Sequence, residues 1–312
     1  MKNELWKSAA QSLRRNAPLL RVADFLGRGR GRLRWFDQLN VPPAAPRTPD
    51  LSRWENTPLA AAWLGHASVL IRIGGMTILT DPVLLNRVGI GLGLMTAGPR
   101  RHVLPALSIR ELPKIDLLLI SHAHFDHLDR PTLALLDKNV RVITSGGTSD
   151  LLRDLGYRRI TELRWGESTT LNSLRITAQQ VRHWGARAMF DTHRGYNAYV
   201  LDTLSSPSHR VVYGADSAFG EHFKEVAAGG ARTHLAILGI GGYNPYLHSH
   251  ATPEQVWTMA DHMNADFILP MHHSTFRLSH EPTREPLERL LTVAGSHTER
   301  ITLHQVGGQW SL

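Results

Sequence analysis

From residue 60 onward, apolar residues occur in short runs separated by turn-forming residues, which is typical of a sheet-rich fold. Ala61–Ile73 and Met76–Thr80 are two such runs joined by Gly74 and Gly75, and this spacing predicts a tight β-hairpin. Ile115–Ile120 is a short continuous apolar run, as expected of a strand buried on both faces. Further strands are predicted at Val140–Thr144, Arg159–Leu163, Leu174–Val181, Tyr196–Leu201, Arg210–Tyr213, Leu235–Ile240, Phe267–Pro270 and Ile301–Gln305.

Three stretches between these runs carry helical signals. Arg130–Asp137 has a proline at its second position, which suits the first turn of a helix. The sequence Thr-Pro-Glu-Gln at residues 252–255 combines a capping threonine, a proline at the first helical position and a glutamine at the third, so it predicts a helix that reaches about Asn264. Glu285–Ala294 is the third predicted helix. Because helices alternate with strands and no segment repeats, the pattern predicts one α/β domain with mixed sheets.

Residues 1–50 differ from the rest of the chain in charge and composition. They hold ten lysines and arginines against four acidic residues, a net charge of +6 out of +8 for the whole chain. Four prolines between residues 42 and 49 resemble a linker. We therefore expect a basic arm over residues 1–50 and a folded domain over residues 51–312. The arm either contacts an anionic membrane surface through its arginines and aromatic residues, mainly within residues 1–45, or packs on the body with solvated arginines.

The overall composition limits the chemistry that the protein can perform. Cysteine is absent, which excludes disulfides, thiolate nucleophiles and cysteine-rich zinc sites, and 18 histidines leave imidazole and carboxylate as the strong metal ligands. No uninterrupted apolar run approaches the roughly 20 residues that span a bilayer. Charged residues and Pro18 also interrupt the only N-terminal candidate for a signal-peptide core. We therefore expect a cytoplasmic protein, in contact with the inner face of the membrane if the arm binds lipid.

The segment Ser121–Asp129 directly follows the predicted strand Ile115–Ile120 and is rich in metal-ligating side chains. Its four candidate ligands are His122, His124, Asp126 and His127. Alternate residues of an extended segment point to the same side, so His122 and His124 can face one point. After the chain turns, Asp126 and His127 can face a second point nearby. A random match to His-x-His-x-Asp-His is expected in roughly 3 of 1,000 chains of this composition, so the segment predicts a site for two metal ions.

Four ligands cannot complete two metal sites that each keep a position open for water. His183, Asp216 and His272 each lie within three residues of the end of a predicted apolar strand. Functional residues of α/β folds gather at the carboxyl ends of strands. Each of these residues alone is more often structural, but together with the first segment they complete a pair of sites.

Several motifs resemble those of the metallo-β-lactamase fold hydrolases, and specifically the branch that contains N-acyl-phosphatidylethanolamine-hydrolysing phospholipase D and the ascorbate-6-phosphate lactonase-like proteins. The motifs are Trp63–Ser68, Leu79–Pro82, Ser121–Asp129, Gly241–Tyr243 and Met271–Phe276, and the resemblance covers roughly residues 54–312. It implies a four-layer αββα sandwich, where the strand pattern alone indicates only α/β. It also implies one zinc ion held by His122, His124 and His183, a second held by Asp126, His127 and His272, and Asp216 bridging both.

The resemblance implies a zinc-dependent phosphodiesterase of the phospholipase D type that acts on N-acyl-phosphatidylethanolamine-like lipids through a metal-bridged hydroxide. Asp126 and Asp216 would take part in catalysis by binding the metal ions. His250 would contact the substrate or donate a proton to the leaving group. Histidine and aspartate sites also accept Mn²⁺, Fe²⁺ or Co²⁺. The alternatives are a lactonase or hydrolase of a soluble, sugar-phosphate-like substrate, and a metal-binding protein without catalysis. No nucleic-acid partner is expected because the basic residues lie in the arm; the oligomeric state is left open.

Residues near these motifs are expected to support the site. Asp81 is predicted to hydrogen-bond to the His-x-His loop, since metal-bound imidazoles usually have a carboxylate or carbonyl behind them. Asp129 either does the same or begins a helix. His66 is expected to be a hydrogen-bonded structural histidine, with contact to the site as the alternative. His248 and His273 are expected to be bystanders.

Overall fold

The computed structural model describes residues 41–52, 54–92, 95–188 and 190–312. Most of the predicted basic arm lies outside the described residues, so its membrane contact and its boundary at residue 50 stay predictions. The proline-rich stretch that follows it does contact the body of the protein. Pro42 and Pro49 are buried, and the amide of Leu104 donates to the carbonyl of Pro43 at 2.8 Å. Residues 41–50 are thus held on the domain surface.

The elements alternate along the chain as the apolar pattern predicts. The strands of the described residues are β1 (Leu59–Gly65), β2 (Ser68–Ile73), β3 (Met76–Thr80), β4 (Ile90–Leu92), β5 (Met95–Ala97), β6 (Leu117–Ile120), β7 (Arg141–Ser145), β8 (Ile160–Leu163), β9 (Ser168–Leu171), β10 (Leu174–Gln179), β11 (Ala198–Thr203), β12 (Arg210–Tyr213), β13 (Thr233–Gly239), β14 (Ala265–Met271) and β15 (Gln309–Ser311). The α-helices are α1 (Arg130–Leu135), α2 (Ser149–Arg153), α3 (Pro253–His262) and α4 (Glu285–Ala294), and 3-10 turns lie at Trp54–Asn56, Glu221–Gly230 and Gly295–Arg300. None of these helices is long and apolar enough to span a bilayer.

Two sheets face each other across the main core. One has the strand order β15-β1-β2-β3-β6-β7-β8 and the other the order β14-β13-β12-β11-β10-β9. Leu70 and Leu119 of the first sheet and Tyr199 and Ile237 of the second belong to one buried apolar cluster. A second cluster joins the opposite face of β11–β14 to α3 and α4. The architecture is the αββα sandwich that the resemblance implies, and this prediction is confirmed.

The carboxyl ends of the parallel strands position the candidate site. In the first sheet β3, β6, β7 and β8 run parallel, and in the second β12, β13 and β14 do. Asp81 and His122 follow β3 and β6, whereas Asp216 and His272 follow β12 and β14. A β-bridge between His122 and Tyr196 joins the two sheets at this edge. Side chains from both sheets therefore meet at one end of the sandwich.

Two sequence predictions of strands are wrong. Ala61–Ile73 is two antiparallel strands, β1 and β2, because Gly65 and His66 adopt φ angles of +117° and +53° and reverse the chain. Ile301–Gln305 forms only one isolated bridge, from Ile301 to Ile268, and the closing strand of the chain is β15, which pairs with β1. The apolar residues of 301–306 are buried as side chains in the core without pairing as a strand.

Candidate metal centre

Three imidazoles converge at the first part of the site. His122 Nε2 lies 2.9 Å from His124 Nδ1, and His183 Nε2 lies 3.2 Å from the same atom. Two ligands of a tetrahedral zinc ion with bonds of roughly 2.0 Å lie about 3.3 Å apart. The three nitrogens, which we call set one, therefore have the mutual spacing of ligands to one ion.

A second group of ligand atoms, set two, consists of Asp126, His127 and His272. Asp126 Oδ2 lies 3.6 Å from His127 Nε2 and 3.3 Å from His272 Nε2. These separations again match the edges of a tetrahedral coordination sphere. Set two therefore has the spacing of ligands to a second ion.

Asp216 lies between the two sets. Its Oδ2 is 3.0 Å from His127 Nε2 and 3.4 Å from His272 Nε2 in set two, and 3.8 Å from His183 Nε2 in set one. The structure thus brings together all seven residues that the sequence singles out as ligands. The assignment of the two sets to two ions, with Asp216 between them, is what the resemblance implies and stays a proposal.

The His-x-His-x-Asp-His loop is held by contacts that sequence reasoning missed. The amides of His127 and Leu128 both donate to the carbonyl of His124, at 3.1 and 2.8 Å, which folds the loop into a turn. The Arg187 guanidinium donates to the carbonyls of Ala123 and Leu128 at 2.8 and 2.7 Å and lies 4.0 Å from the centre of the Phe125 ring. Arg187 comes from the loop after β10, so no local signal in the sequence connects it to this site.

Asp81 makes the hydrogen bonds expected of it. Its Oδ1 accepts from the Ser121 amide at 2.7 Å, and its Oδ2 accepts from the Tyr213 hydroxyl and from His127 Nδ1, both at 2.6 Å. A proton on Nδ1 of His127 leaves the Nε2 lone pair free to face Asp126 and Asp216. Asp81 is fully buried and so cannot exchange these partners for water.

The imidazoles of set one also have partners behind them. His122 Nδ1 lies 2.8 Å from Ser121 Oγ, and His183 Nδ1 lies 3.0 Å from the carbonyl of Ser249. Metal-ligating histidines almost always have such a partner, which fixes the tautomer and the ring orientation. Both rings therefore present Nε2 to the cluster.

Several polar atoms of the cluster have no hydrogen-bond partner among the described residues. They are His124 Nε2, His127 Nε2, His272 Nδ1 and Asp216 Oδ1, all of them buried. Buried polar atoms without partners are rare because each one costs free energy. The Nε2 of His127 and the Asp216 carboxylate are close enough to share a cation, so the residues present fit a metal ion.

Burial and mutual contact set the charges of the cluster. Burial is the largest influence on the histidines of set one: it holds the pKa of His122 well below its usual range and lowers that of His124 and His183 to about 4. Burial also lowers the pKa of His272, but Asp216 and Asp126 outweigh it and raise this pKa to about 9. Set one is therefore neutral at pH 7, the state that ligation requires.

The structure places the remaining histidines at different distances from the cluster. His66 Nε2 lies 3.0 Å from Asp126 Oδ2, which favours the alternative in which this residue contacts the site. His250 Nδ1 lies 3.9 Å from Asp216 Oδ2, and its ring centre is 5.1 Å from that of His183. His273 is buried against Trp63, with ring centres 4.6 Å apart, and His248 is exposed. Both fit the expectation of bystanders.

Asp129 begins helix α1. Its carboxylate accepts from the amide and the hydroxyl of Thr132, at 3.1 and 2.6 Å. This is the geometry of an N-terminal helix cap. Of the two roles expected for Asp129, the structure shows the second: its side chain caps the start of a helix.

Large apolar side chains lie exposed in the two loops that carry His183 and His250. The Trp184 ring centre is 4.5 Å from that of His124, and the side chain is 53% exposed. Phe190, in the same loop, is 85% exposed. Tyr246 and Leu247 are exposed in the loop that leads to His250. We call Trp184, Phe190, Tyr246 and Leu247 the apolar rim.

A cluster of histidines and aspartates at the open edge of an αββα sandwich defines a metal-dependent hydrolase. The family described as "Beta-lactamase superfamily domain" matches residues 76–273, which is more than half of the chain. The chain belongs to this superfamily.

Relatives agree with this assignment. An uncharacterized protein of Mycobacterium tuberculosis is 31% identical over 274 residues, which are 84% of this chain and 71% of the relative. The N-acyl-phosphatidylethanolamine-hydrolyzing phospholipase D 1 of Caenorhabditis elegans is 27% identical over 250 residues, 74% of this chain and 68% of the relative. The solved structure of a possible metal-dependent hydrolase from Veillonella parvula shares the fold, with a TM-score of 0.66 at 15% identity over 82% of this chain and 100% of that one.

Proposed function

We propose that this protein is a binuclear zinc-dependent phosphodiesterase of the phospholipase D type, acting on N-acyl-phosphatidylethanolamine-like lipids. The observation that carries the proposal is the position of Asp216, whose Oδ2 lies 3.0–3.8 Å from ligand atoms of both sets. Two metal ions about 3.5–4 Å apart recur in phosphatases and nucleases, where they stabilise both oxygens of an in-line displacement at phosphorus. A carboxylate in this position suits such a pair.

Each residue of the cluster has a role in this proposal. His122, His124 and His183 hold one ion, Asp126, His127 and His272 hold the other, and Asp216 binds both. When bound, the ions supply positive charge to the phosphoryl oxygens and acidify water, so no serine or lysine nucleophile is required. Imidazole and carboxylate donors suit zinc, while Mn²⁺, Fe²⁺ and Co²⁺ remain compatible with the same ligands.

His250 is proposed to contact the substrate. Its side chain is 16% exposed and lies beside Asp216 at the mouth of the cluster, outside both sets. Burial is the largest influence on it and lowers its pKa to about 4, so the ring is neutral at pH 7. In that state it can donate one hydrogen bond to a phosphoryl oxygen or to the leaving alcohol.

The lipid class of the substrate rests on two observations. A relative that spans most of this chain is named for hydrolysis of N-acyl-phosphatidylethanolamine. The apolar rim comprises exposed tryptophan, phenylalanine, tyrosine and leucine in the loops that carry His183 and His250, and tryptophan and tyrosine are enriched at membrane–water interfaces. We propose that the rim and the basic residues of 1–45 together bring the site to a lipid surface. The cytoplasmic location expected from the sequence stays a prediction.

Metal uptake is expected to release protons and to strengthen as the pH rises. In the metal-free protein burial lowers the pKa of His272, but Asp216 and Asp126 outweigh it and raise this pKa to about 9. Burial also lowers the pKa of His127, and Asp216, Asp126 and Asp81 together outweigh it, so this pKa is raised as well. His272 is therefore protonated at pH 7 and must lose a proton to bind metal. Calorimetric zinc titrations in buffers of different ionisation enthalpy should show a net release of at least about one proton per chain at pH 7. A proton count near zero would contradict the assignment of His272 as a ligand.

A substrate panel tests the activity. Zinc-loaded protein is incubated with vesicles of N-acyl-phosphatidylethanolamine, phosphatidylethanolamine or phosphatidylcholine, with a sugar-phosphate lactone, and with a generic phosphodiester. We expect phosphatidic acid from the N-acylated lipid, with kcat/KM at least about tenfold above the other substrates, a discrimination of roughly 1.4 kcal/mol. A higher kcat/KM for the lactone would replace the phospholipase proposal with the lactonase alternative.

The same panel separates the membrane contact from the chemistry. The matched variant lacks residues 1–40, because Pro42 is buried on the body and Ala45 packs against the core. We expect this variant to pellet less with anionic vesicles and to hydrolyse vesicle lipid more slowly. Its rate on the soluble phosphodiester should equal that of the full chain. Equal vesicle binding of the two proteins would show that residues 1–40 do not dock on lipid.

A further inference from the structure

We infer that His66 is a positioning residue, which holds the Asp126 carboxylate in the orientation that set two requires. The inference rests on the metal centre proposed above. His66 comes from the turn between β1 and β2, sixty residues before Asp126, and belongs to neither set.

The His66 ring is fixed by what surrounds it. Its Nε2 donates to Asp126 Oδ2 at 3.0 Å, and this oxygen is the same atom that lies 3.3 Å from His272 Nε2. The ring packs against that of His272, with centres 4.1 Å apart, and meets the edge of Phe276 at 5.2 Å. The side chain is 1% exposed. His66 therefore touches both the carboxylate and an imidazole of set two.

The backbone of His66 is in a conformation that other contacts must maintain. Its φ of +53° lies in the left-handed region, which is uncommon for a residue with a side chain. The amide donates to Thr275 Oγ1 at 2.8 Å, and the carbonyl accepts from Trp63 Nε1 at 2.8 Å and from the His272 amide at 3.1 Å. Strained residues persist only where the surrounding structure determines them, and they cluster at functional sites. The last of these bonds ties the backbone of His66 directly to that of His272, and the other two hold the turn in place.

Direct ligation by His66 is the rival explanation, since its ring nitrogen lies within 4.8 Å of the ligand atoms of set two. The number of ligand atoms favours positioning. Asp126, His127, Asp216 and His272 already present four atoms with contacts of 3.0–3.6 Å, so ligation by His66 as well would take the position that is left open for water. A ligating carboxylate usually accepts a further hydrogen bond, and His66 supplies it.

Two substitutions at position 66, one without a hydrogen-bond donor and one with a donor, test the inference. His66→Phe keeps an aromatic ring against His272 and Phe276 but cannot donate to Asp126, whereas His66→Gln retains an N–H donor. If the Phe variant does not fold, His66→Asn replaces it, because its amide is too short to reach Asp126. Zinc content is measured against graded chelator, together with the absorption spectrum of the cobalt-loaded protein. His209→Gln controls for the loss of a buried histidine, because His209 lies directly before β12 and is outside both sets.

We expect His66→Phe to bind one zinc as the parent does and the other about tenfold more weakly, as is typical when a partner of a metal ligand is lost. His66→Gln should restore most of that affinity and the parent cobalt spectrum. Equal loss of one metal in both variants would show that His66 is a ligand. Unchanged affinities with a lowered Tm would show a purely structural role. His122→Ala is the reference: if it too retains two zincs, the proposed metal centre fails, whatever His66 does.

Discussion

Replacing Asp216 by alanine is expected to lower kcat/KM by at least about 10³-fold and to reduce the affinity for both metal ions, because its oxygen faces ligands of both sets. Two-metal stabilisation of a transition state contributes several kcal/mol, and each 1.4 kcal/mol is about tenfold in rate. Metal content after dialysis and steady-state kinetics on the preferred substrate of the panel measure the two effects together.

His124→Ala is the matched comparison for Asp216→Ala. Among the described residues, the ring nitrogens that His124 Nδ1 contacts are those of His122 and His183, so its loss should weaken one zinc site and spare the other. The pair of variants therefore distinguishes a bridging residue from a ligand of a single ion. Two zinc ions retained at parental affinity in both variants would refute the ligand sets.

Much of the candidate site can be predicted from the sequence, because its candidate ligands either lie close together along the chain or follow predicted strands. His122, His124, Asp126 and His127 lie within six residues, Asp216 and His272 follow buried strands whose apolar runs mark them, and His183 follows the alternating strand β10 by four residues. The residues that support the candidate ligands cannot be predicted from the sequence. Tyr213 reaches Asp81 across 132 positions, and a tyrosine at the end of an apolar strand gives no sign that its hydroxyl points toward a carboxylate.

The elements that the sequence analysis missed are short and have weak apolar patterns. β9 has alternating exposed and half-buried residues and only four positions, so its serine and threonines suggest a loop as readily as a strand. Helix α2 is five residues long and its capping threonine makes no side-chain hydrogen bond to the helix, which leaves too short a pattern to detect. Conversely, Ile301 and Leu303 are apolar because they fill the core, and they produced a false strand.

Backbone strain is a further property that could not be predicted from the sequence. In the part of the chain that the structure describes, seven residues other than glycine have positive φ, and His66, Asp81, Ala215 and His272 among them belong to the candidate metal centre or adjoin it. Histidine and aspartate adopt the left-handed conformation more often than most residues, but the residue type alone does not predict it, since the surrounding contacts impose it.

Asp81→Asn is expected to weaken both zinc sites and to lower kcat/KM by about 100-fold, although Asp81 is in neither set. Its Oδ2 accepts directly from His127 Nδ1 of set two. It also accepts from the Ser121 hydroxyl at 2.5 Å, and Ser121 Oγ in turn lies 2.8 Å from His122 Nδ1 of set one. One carboxylate thus fixes the tautomer of one histidine in each set. Zinc affinity and kcat/KM are measured as for Asp216.

The asparagine has no orientation that replaces these contacts. Both oxygens of Asp81 accept hydrogen bonds, so an amide NH₂ at either position faces a donor: the Ser121 amide on one side, or His127 and Tyr213 on the other. Leaving a buried group unpaired costs about 1–3 kcal/mol, which the free energy of unfolding should also show. Ser121→Ala should weaken only the site of set one. Tyr213→Phe should leave both zinc affinities within about threefold of the parent, because this substitution removes a hydrogen-bond donor to Asp81 without touching a histidine. If Asp81→Asn changes stability but neither zinc affinity, the carboxylate supports the fold and not the metal ligands.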